Sequence, residues 1–192
     1  MAVGLIFLVV CLCLVFFFLG FVLYIISVYN KLQKQHVLVD EAWSGIDVQL
    51  KRRFDLIPDF IESVKGYKQF EADTLTKVTE LRSKMMGTDS PEKLAMYENQ
   101  LSSTLKSIFA VAENYPELKS NTMFSEFNQA NDKIEEAIQS ARRYYNGAVR
   151  DLNRMIVVFP TNIIANFLGI KKREFFEIQD ASQREDVKAD FS

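Results

Sequence analysis

Histidine and cysteine are nearly missing from this 192-residue chain, which has one of the first, His36, and two of the second, Cys11 and Cys13. A bundle-type di-iron site takes a Glu-x-x-His from each of two helices, and a helical zinc pair takes two histidines four apart; a single histidine makes neither. A Ser-His-Asp or Cys-His triad would have to be built on His36, and no G-x-S-x-G segment is present to hold a nucleophile. His36 reads as an interfacial polar residue rather than a ligand or base. Both cysteines lie inside one apolar run, at a spacing that sets them on different sides of a helix, so they do not pair with each other. The rest of the chain carries no thiol, hence no disulfide and no cysteine metal site. Glycine is sparse and scattered beyond that run, and forms no phosphate-binding loop. Charge of either sign is not in excess: 23 basic and 25 acidic residues leave −2, no electrostatic footprint for nucleic acid. The expectation is a protein that is not an enzyme, with no cofactor, metal or small-molecule substrate.

What is present begins at the N-terminus. Val3 to Val28 is 26 positions without a charged side chain, twenty of them Leu, Ile, Val or Phe. As a helix it spans about 39 Å, against a hydrocarbon core of about 30 Å. Twenty such side chains favour insertion by about 6–12 kcal/mol in sum, an upper bound because off-centre positions count less. A signal peptide has a basic start and a small-residue cleavage site; Met1-Ala2-Val3 is not basic and no A-x-A follows. Val9-Val10 before Cys11 is too bulky for a lipobox. The run is therefore expected to be an uncleaved single-pass anchor, residues 1–28. Lys31 and Lys34, then Lys51, Arg52 and Arg53, lie on its C-terminal side, which the positive-inside rule assigns to the cytoplasm, with the N-terminus outside.

Beyond Tyr29 the apolar period is helical throughout. Trp43, Ile46, Leu50, Phe54, Ile57, Ile61 and Val64 recur every three or four residues. Pro58 interrupts them and predicts a kink or break near Asp55–Pro58, with a second helical stretch running from there to about Met86. Gly87-Thr88-Asp89-Ser90-Pro91 is a turn and a helix start, with Ser90 as cap and Pro91 in the first helical position. The next stripe is Leu94, Tyr97, Leu101, Leu105, Ile108 and Ala112, ending at Asn114-Tyr115-Pro116. Ser120-Asn121-Thr122 opens the longest clean helix, striped by Phe124, Phe127, Ile134, Ala137, Ala141, Tyr145, Ala148, Leu152 and Ile156. Phe159-Pro160 stops it. A short apolar helix, 162–168, ends at Gly169, which is expected to be left-handed. The predicted fold is all-α: a transmembrane helix followed by an antiparallel four-helix-type bundle over 29–176, kinked at Pro58. Residues 177–192, polar and without a stripe, are expected to be a disordered tail.

Two clusters stand out. Around the proline, Lys51-Arg52-Arg53-Phe54-Asp55 packs charge against apolar residues. Arg52 or Arg53 is placed to bridge Asp55 and the carbonyls freed by Pro58. A satisfied kink with an exposed basic face and a docking site for a partner or anionic lipid both fit. On the longest helix Arg142, Asn146 and Asn153 share a line beside the core stripe. Register fixing within the bundle and a groove for a ligand or partner both fit. The adjacent acids Glu135-Glu136 and Asp40-Glu41 point about 100° apart and read as solvated faces. Tyr115, Tyr144 and Tyr145 read as core edges with wet hydroxyls.

Tyr29-Asn30, Trp43, Leu50 to Pro58, Glu113 to Lys119, Ala141 to Asn146, Asn153, Phe159-Pro160, Ile163-Ile164-Ala165, Gly169 and Phe175-Phe176 follow one another in an order that resembles the LemA family of bacterial membrane-anchored proteins. The resemblance covers the anchor to about Phe176 and leaves the tail outside. It implies a single N-terminal span and a four-helix-type domain on the cytoplasmic side, supplies no catalytic residues, and suggests scaffolding at membranes. Asp59-Phe60 stands where Asn-Leu is commoner in the family, and Leu152 where an aromatic is common.

The expected function is a non-enzymatic, membrane-tethered helical adaptor. Its contact residues would be drawn from Arg52, Arg53, Asp55, Arg142, Asn146 and Asn153, toward a protein partner or a second copy. Trp43 and Phe16-Phe17-Phe18 fit self-association, although lipid-facing phenylalanine accounts for the latter, since close helix contacts prefer small residues. The alternative is an outward-facing, ligand-sensing bundle.

Overall fold

The computed structural model describes residues 2–65, 67 and 72–176. The expected tail, 177–192, lies outside them. The described residues form six α-helices and no strand: α1 (Ala2–Val64), α2 (Ala72–Met86), α3 (Pro91–Ala112), α4 (Pro116–Lys119), α5 (Thr122–Val157) and α6 (Thr161–Phe167). The chain divides into two compact units, Met1–Ala42 with Gly147–Arg173, and Trp43–Asn146 with Glu174–Ser192.

Of the kink or break expected at Pro58, the break is absent, because α1 continues through the proline to Val64. The second helical stretch accordingly begins at Ala72, not at the proline. Proline lacks the N–H that would bond the carbonyl four residues back. Arg82 on α2 supplies the missing donor, its Nε reaching the Phe54 carbonyl at 3.0 Å. Arg52, Arg53 and Asp55 take no part in that bond. Other boundaries follow local chemistry. Ser90 Oγ accepts from the Lys93 N–H and Pro91 opens α3. Asn121 Oδ1 accepts from the Phe124 N–H at the start of α5. Gly169, at φ +66°, closes α6. Its N–H bonds the Asn166 carbonyl and the Ile170 N–H bonds that of Ala165, the two bonds of a Schellman end.

The unit around Trp43–Asn146 is an up-down-up-down bundle of α1, α2, α3 and α5. Along α1 and α5, Trp43 meets Tyr145, Arg53 meets Glu135 and Phe60 stacks on Phe127, so the two helices are antiparallel. Glu98 and Phe109 of α3 meet Arg53 and Phe60 in the same order, so α3 is parallel to α1. The core contains Ile46, Leu50, Ile57, Phe60, Leu81, Leu101, Leu105 and Ile138. Phe60, Phe109, Phe124 and Phe127 form an aromatic cluster with ring centroids 4.2 to 6.1 Å apart. Phe60 is the hub of that cluster and is fully buried.

The other unit pairs the N-terminal part of α1 with the end of α5, α6 and the segment up to Arg173. Gln35 Nε2 donates to the Ala148 carbonyl at 3.0 Å. Val28, Leu32, Val39 and Ala42 of α1 are buried, as are Ala148, Val149, Leu152, Ile156 and Ala165. Over residues 7–27 every side chain is exposed except half-buried Val22. This stretch is long and apolar enough to cross a membrane.

Candidate functional site: a buried ion network and two backbone clamps

Arg53 falls in the seam of buried positions 46, 50, 53, 57, 60 and 64 and is only 1% exposed. A guanidinium there must be paired. Its Nη1 donates to Glu98 Oε1 at 2.6 Å and to Ser102 Oγ at 2.9 Å, and its Nη2 to Glu135 Oε2 at 3.5 Å. Glu98, 2% exposed, accepts from Arg142 Nη2 through its other oxygen at 2.9 Å. The same Nη2 donates to Asn99 Oδ1. Lys106 closes the outer edge on Glu135 at 3.1 Å. Burial pushes the Arg142 guanidinium down from its ordinary value; Glu98 pulls it back up, Arg53 lowers it and Glu135 raises it. Two guanidiniums against two carboxylates make the inner network neutral, and both Glu98 oxygens are engaged.

Arg142 has a second role. Its guanidinium carbon lies 4.7 Å from the ring centroid of Phe176, a cation–π contact. Phe176 is buried, with Trp43 at 6.2 Å on another side. Asn146 clamps its backbone at both ends: Nδ2 donates to the Phe176 carbonyl at 3.0 Å, and Oδ1 accepts the Phe176 N–H at 2.8 Å. Tyr145 Oη donates to the Glu174 carbonyl. The Asn amide here imitates a strand partner for an extended segment.

The same device occurs in the other unit. Asn153 Nδ2 donates to the Arg173 carbonyl and its Oδ1 accepts the Arg173 N–H, both at 2.9 Å. The Arg173 side chain reaches Asp40 at 2.8 Å and the His36 ring at 3.2 Å.

Thus the six residues singled out in the sequence go to different places. Arg53 and Arg142 meet on Glu98 inside the bundle and do not present guanidiniums at the surface. Asn146 and Asn153 each hold a backbone segment. Arg52 and Asp55 remain exposed on α1. Glu98 escaped sequence reasoning because a lone acid within an apolar stripe looks like a tolerated edge. Its spacing, four after Leu94 and three before Leu101, was the available signal. Glu135 is no solvated acid but a half-buried partner of Arg53, while its neighbour Glu136 is exposed. Tyr145 is buried, and its hydroxyl is held by the Glu174 carbonyl rather than by bulk water. Among the described residues no three His, Cys, Asp or Glu side chains converge in a way that could hold a metal. A cleft of about 270 Å³ is lined by Trp43, Asp47, Asp55, Arg82 and Met86.

An all-α protein with an exposed apolar helical stretch and a bundle organised around buried arginines is the class that these features define. The family model described as LemA family matches residues 42–191. The chain is also 30% identical over 189 residues to Protein LemA of Metamycoplasma hominis, covering 92% of this chain and 84% of that one. The chain belongs to the LemA family. The family match begins after the apolar stretch and runs on to residue 191, so the tail, expected to fall outside the resemblance, is within it.

Proposed function

We propose that this protein is a non-enzymatic adaptor tethered to the cell membrane by the first part of α1, with its helical bundle on the cytoplasmic side. The observation that carries this reading is that exposed apolar stretch and bundle core belong to one helix: α1 shows apolar side chains outward over 7–27 and buries its seam from Val28 to Val64. A lipid environment accounts for the exposure, since mid-span apolar side chains favour insertion. The charged side chains at the centre of the bundle are consumed by one another, which suits a structural role. Arg52 and Asp55, exposed on α1, are the remaining candidate contacts for a protein partner or a second copy.

The test has two arms. With Cys11 and Cys13 replaced by alanine and a single cysteine at Asp89, an impermeant maleimide is added to intact cells. Protection until lysis is expected; labelling of intact cells overturns the orientation and favours the outward-facing sensor. A photo-crosslinking side chain at Arg52, and separately at Asp55, is expected to give a discrete adduct in native membranes. Absence of adducts from both positions sinks this contact surface.

A further inference from the structure

Five large apolar side chains are exposed at the corner where α5 ends and α6 begins: Val157, Val158, Phe159, Ile163 and Phe167. Phe159 is 74% and Phe167 90% exposed, as much as the phenylalanines of the apolar stretch, where Phe17 is 76%. The corner is held in shape. Thr161 Oγ1 donates to the Met155 and Val158 carbonyls, Ala165 is fully buried, and the Schellman end fixes Gly169. Such a rigid apolar projection is costly in water and marks an interaction site.

Its level along α1 follows from contacts within its own unit. Ala148 lies at Gln35. Antiparallel α5 ends nine residues later, about 13.5 Å further on. The same distance back along α1 from Gln35 reaches Ile26, at the edge of the apolar run. After α6 the chain lines a concavity of about 480 Å³ with Gln33 and His36, to which it contributes Lys171, Lys172 and Arg173. Gln33 is five residues, about 7.5 Å, beyond Val28. The interfacial layer of a bilayer is about 5–7.5 Å deep on each side. Apolar side chains therefore stand at the hydrocarbon boundary and basic ones at the headgroups, the layering of an interfacial segment. Charge agrees: residues 29–42 and 147–173 carry seven Lys or Arg against three Asp or Glu, in a chain that is net acidic.

We propose that the α5–α6 corner is a second membrane contact, with Phe159, Ile163 and Phe167 inserted at the interface of the bilayer that α1 crosses and Lys171 and Lys172 seated on anionic lipid headgroups. This rests on the tethered reading of α1. The test uses the full chain with Cys11 and Cys13 replaced by alanine, in vesicles of phosphatidylcholine with phosphatidylglycerol. An environment-sensitive fluorophore is placed on a single cysteine at Asn166, Phe17 or Asp89 in turn. The label at Asn166 is expected to lose emission to lipids spin-labelled high on the acyl chain. The label at Phe17 is expected to lose it to lipids labelled near the chain end, and that at Asp89 to neither. Phe159→Ser with Phe167→Ser, and separately Lys171→Glu with Lys172→Glu, are expected to reduce the Asn166 quenching, the second pair only where phosphatidylglycerol is present. No quenching at Asn166 with quenching at Phe17 overturns the corner contact and leaves the anchor standing. No quenching at Phe17 overturns the anchor itself. A blue-shifted Asn166 label that lipid does not quench means that a second copy covers the corner, which also overturns the proposal.

Discussion

At the scale of single residues, three arginines answer the consequences of one proline and one buried acid. Pro58 leaves the Phe54 carbonyl without its helical donor, and Arg82 fills the place. Arg82→Ala is therefore expected to destabilise the protein by about 1.5 kcal/mol, at the low end for a charged donor because Arg82 is half-buried. Most of that loss should vanish in a Pro58→Ala background, where the backbone N–H restored by the substitution can take the carbonyl. A double-mutant cycle by denaturant unfolding measures it, and additive losses would show that the two sites are not coupled. Glu98 is the common acceptor of Arg53 and Arg142. Glu98→Gln should cost about 3–5 kcal/mol, because it leaves buried positive charge without a counter-ion. Replacing Arg53, Glu98 and Arg142 together by methionine and leucine should cost far less, since desolvation of the charges disappears with them.

At the scale of elements, the segment leading to Phe176 has no strand or helix partner of its own, and Asn side chains on α5 supply the backbone pairing. Asn146→Asp keeps the acceptor for the Phe176 N–H but sets an oxygen against the Phe176 carbonyl. It is expected to cost about 1–3 kcal/mol and to speed trypsin cleavage at Lys171, Lys172 and Arg173. Phe176→Ala should cost about 3–5 kcal/mol by leaving a cavity beside Trp43 and Arg142. Unchanged cleavage in both variants would show that this segment is held by something other than the clamp and its ring pocket.

At the scale of the whole molecule, both long helices carry a glycine near the place where the chain divides into its two units. Gly45 lies in α1 and Gly147 in α5, and a Cβ at either meets open space or ordinary contact. Neither φ is left-handed, so packing does not require glycine at either site. Gly45→Ala and Gly147→Ala should each stabilise the protein by about 0.5–1 kcal/mol through helix propensity alone. Thermal unfolding in detergent checks this, and destabilisation by either change would show that the helix there is not as regular as it looks.

The sequence by itself determined the helical class, the apolar N-terminal stretch, the cap at Ser90, the start of the longest helix at Ser120-Asn121-Thr122 and the left-handed Gly169, because these depend on periodicity and on chemistry within a few residues. It also pointed to Arg53, Arg142, Asn146 and Asn153 as unusual, since polar residues beside an apolar stripe are visible in one dimension. Their partners were not legible. Glu98 lies 45 residues from Arg53 and Phe176 lies 30 from Asn146, and nothing local encodes such pairings. The continuity of α1 through Pro58 was likewise hidden, because the donor that replaces the proline N–H comes from another helix. Only the tertiary structure decided which charges are buried, for a buried charge is tolerated only where packing brings its counter-charge, and that is a property of neighbours in space rather than along the chain.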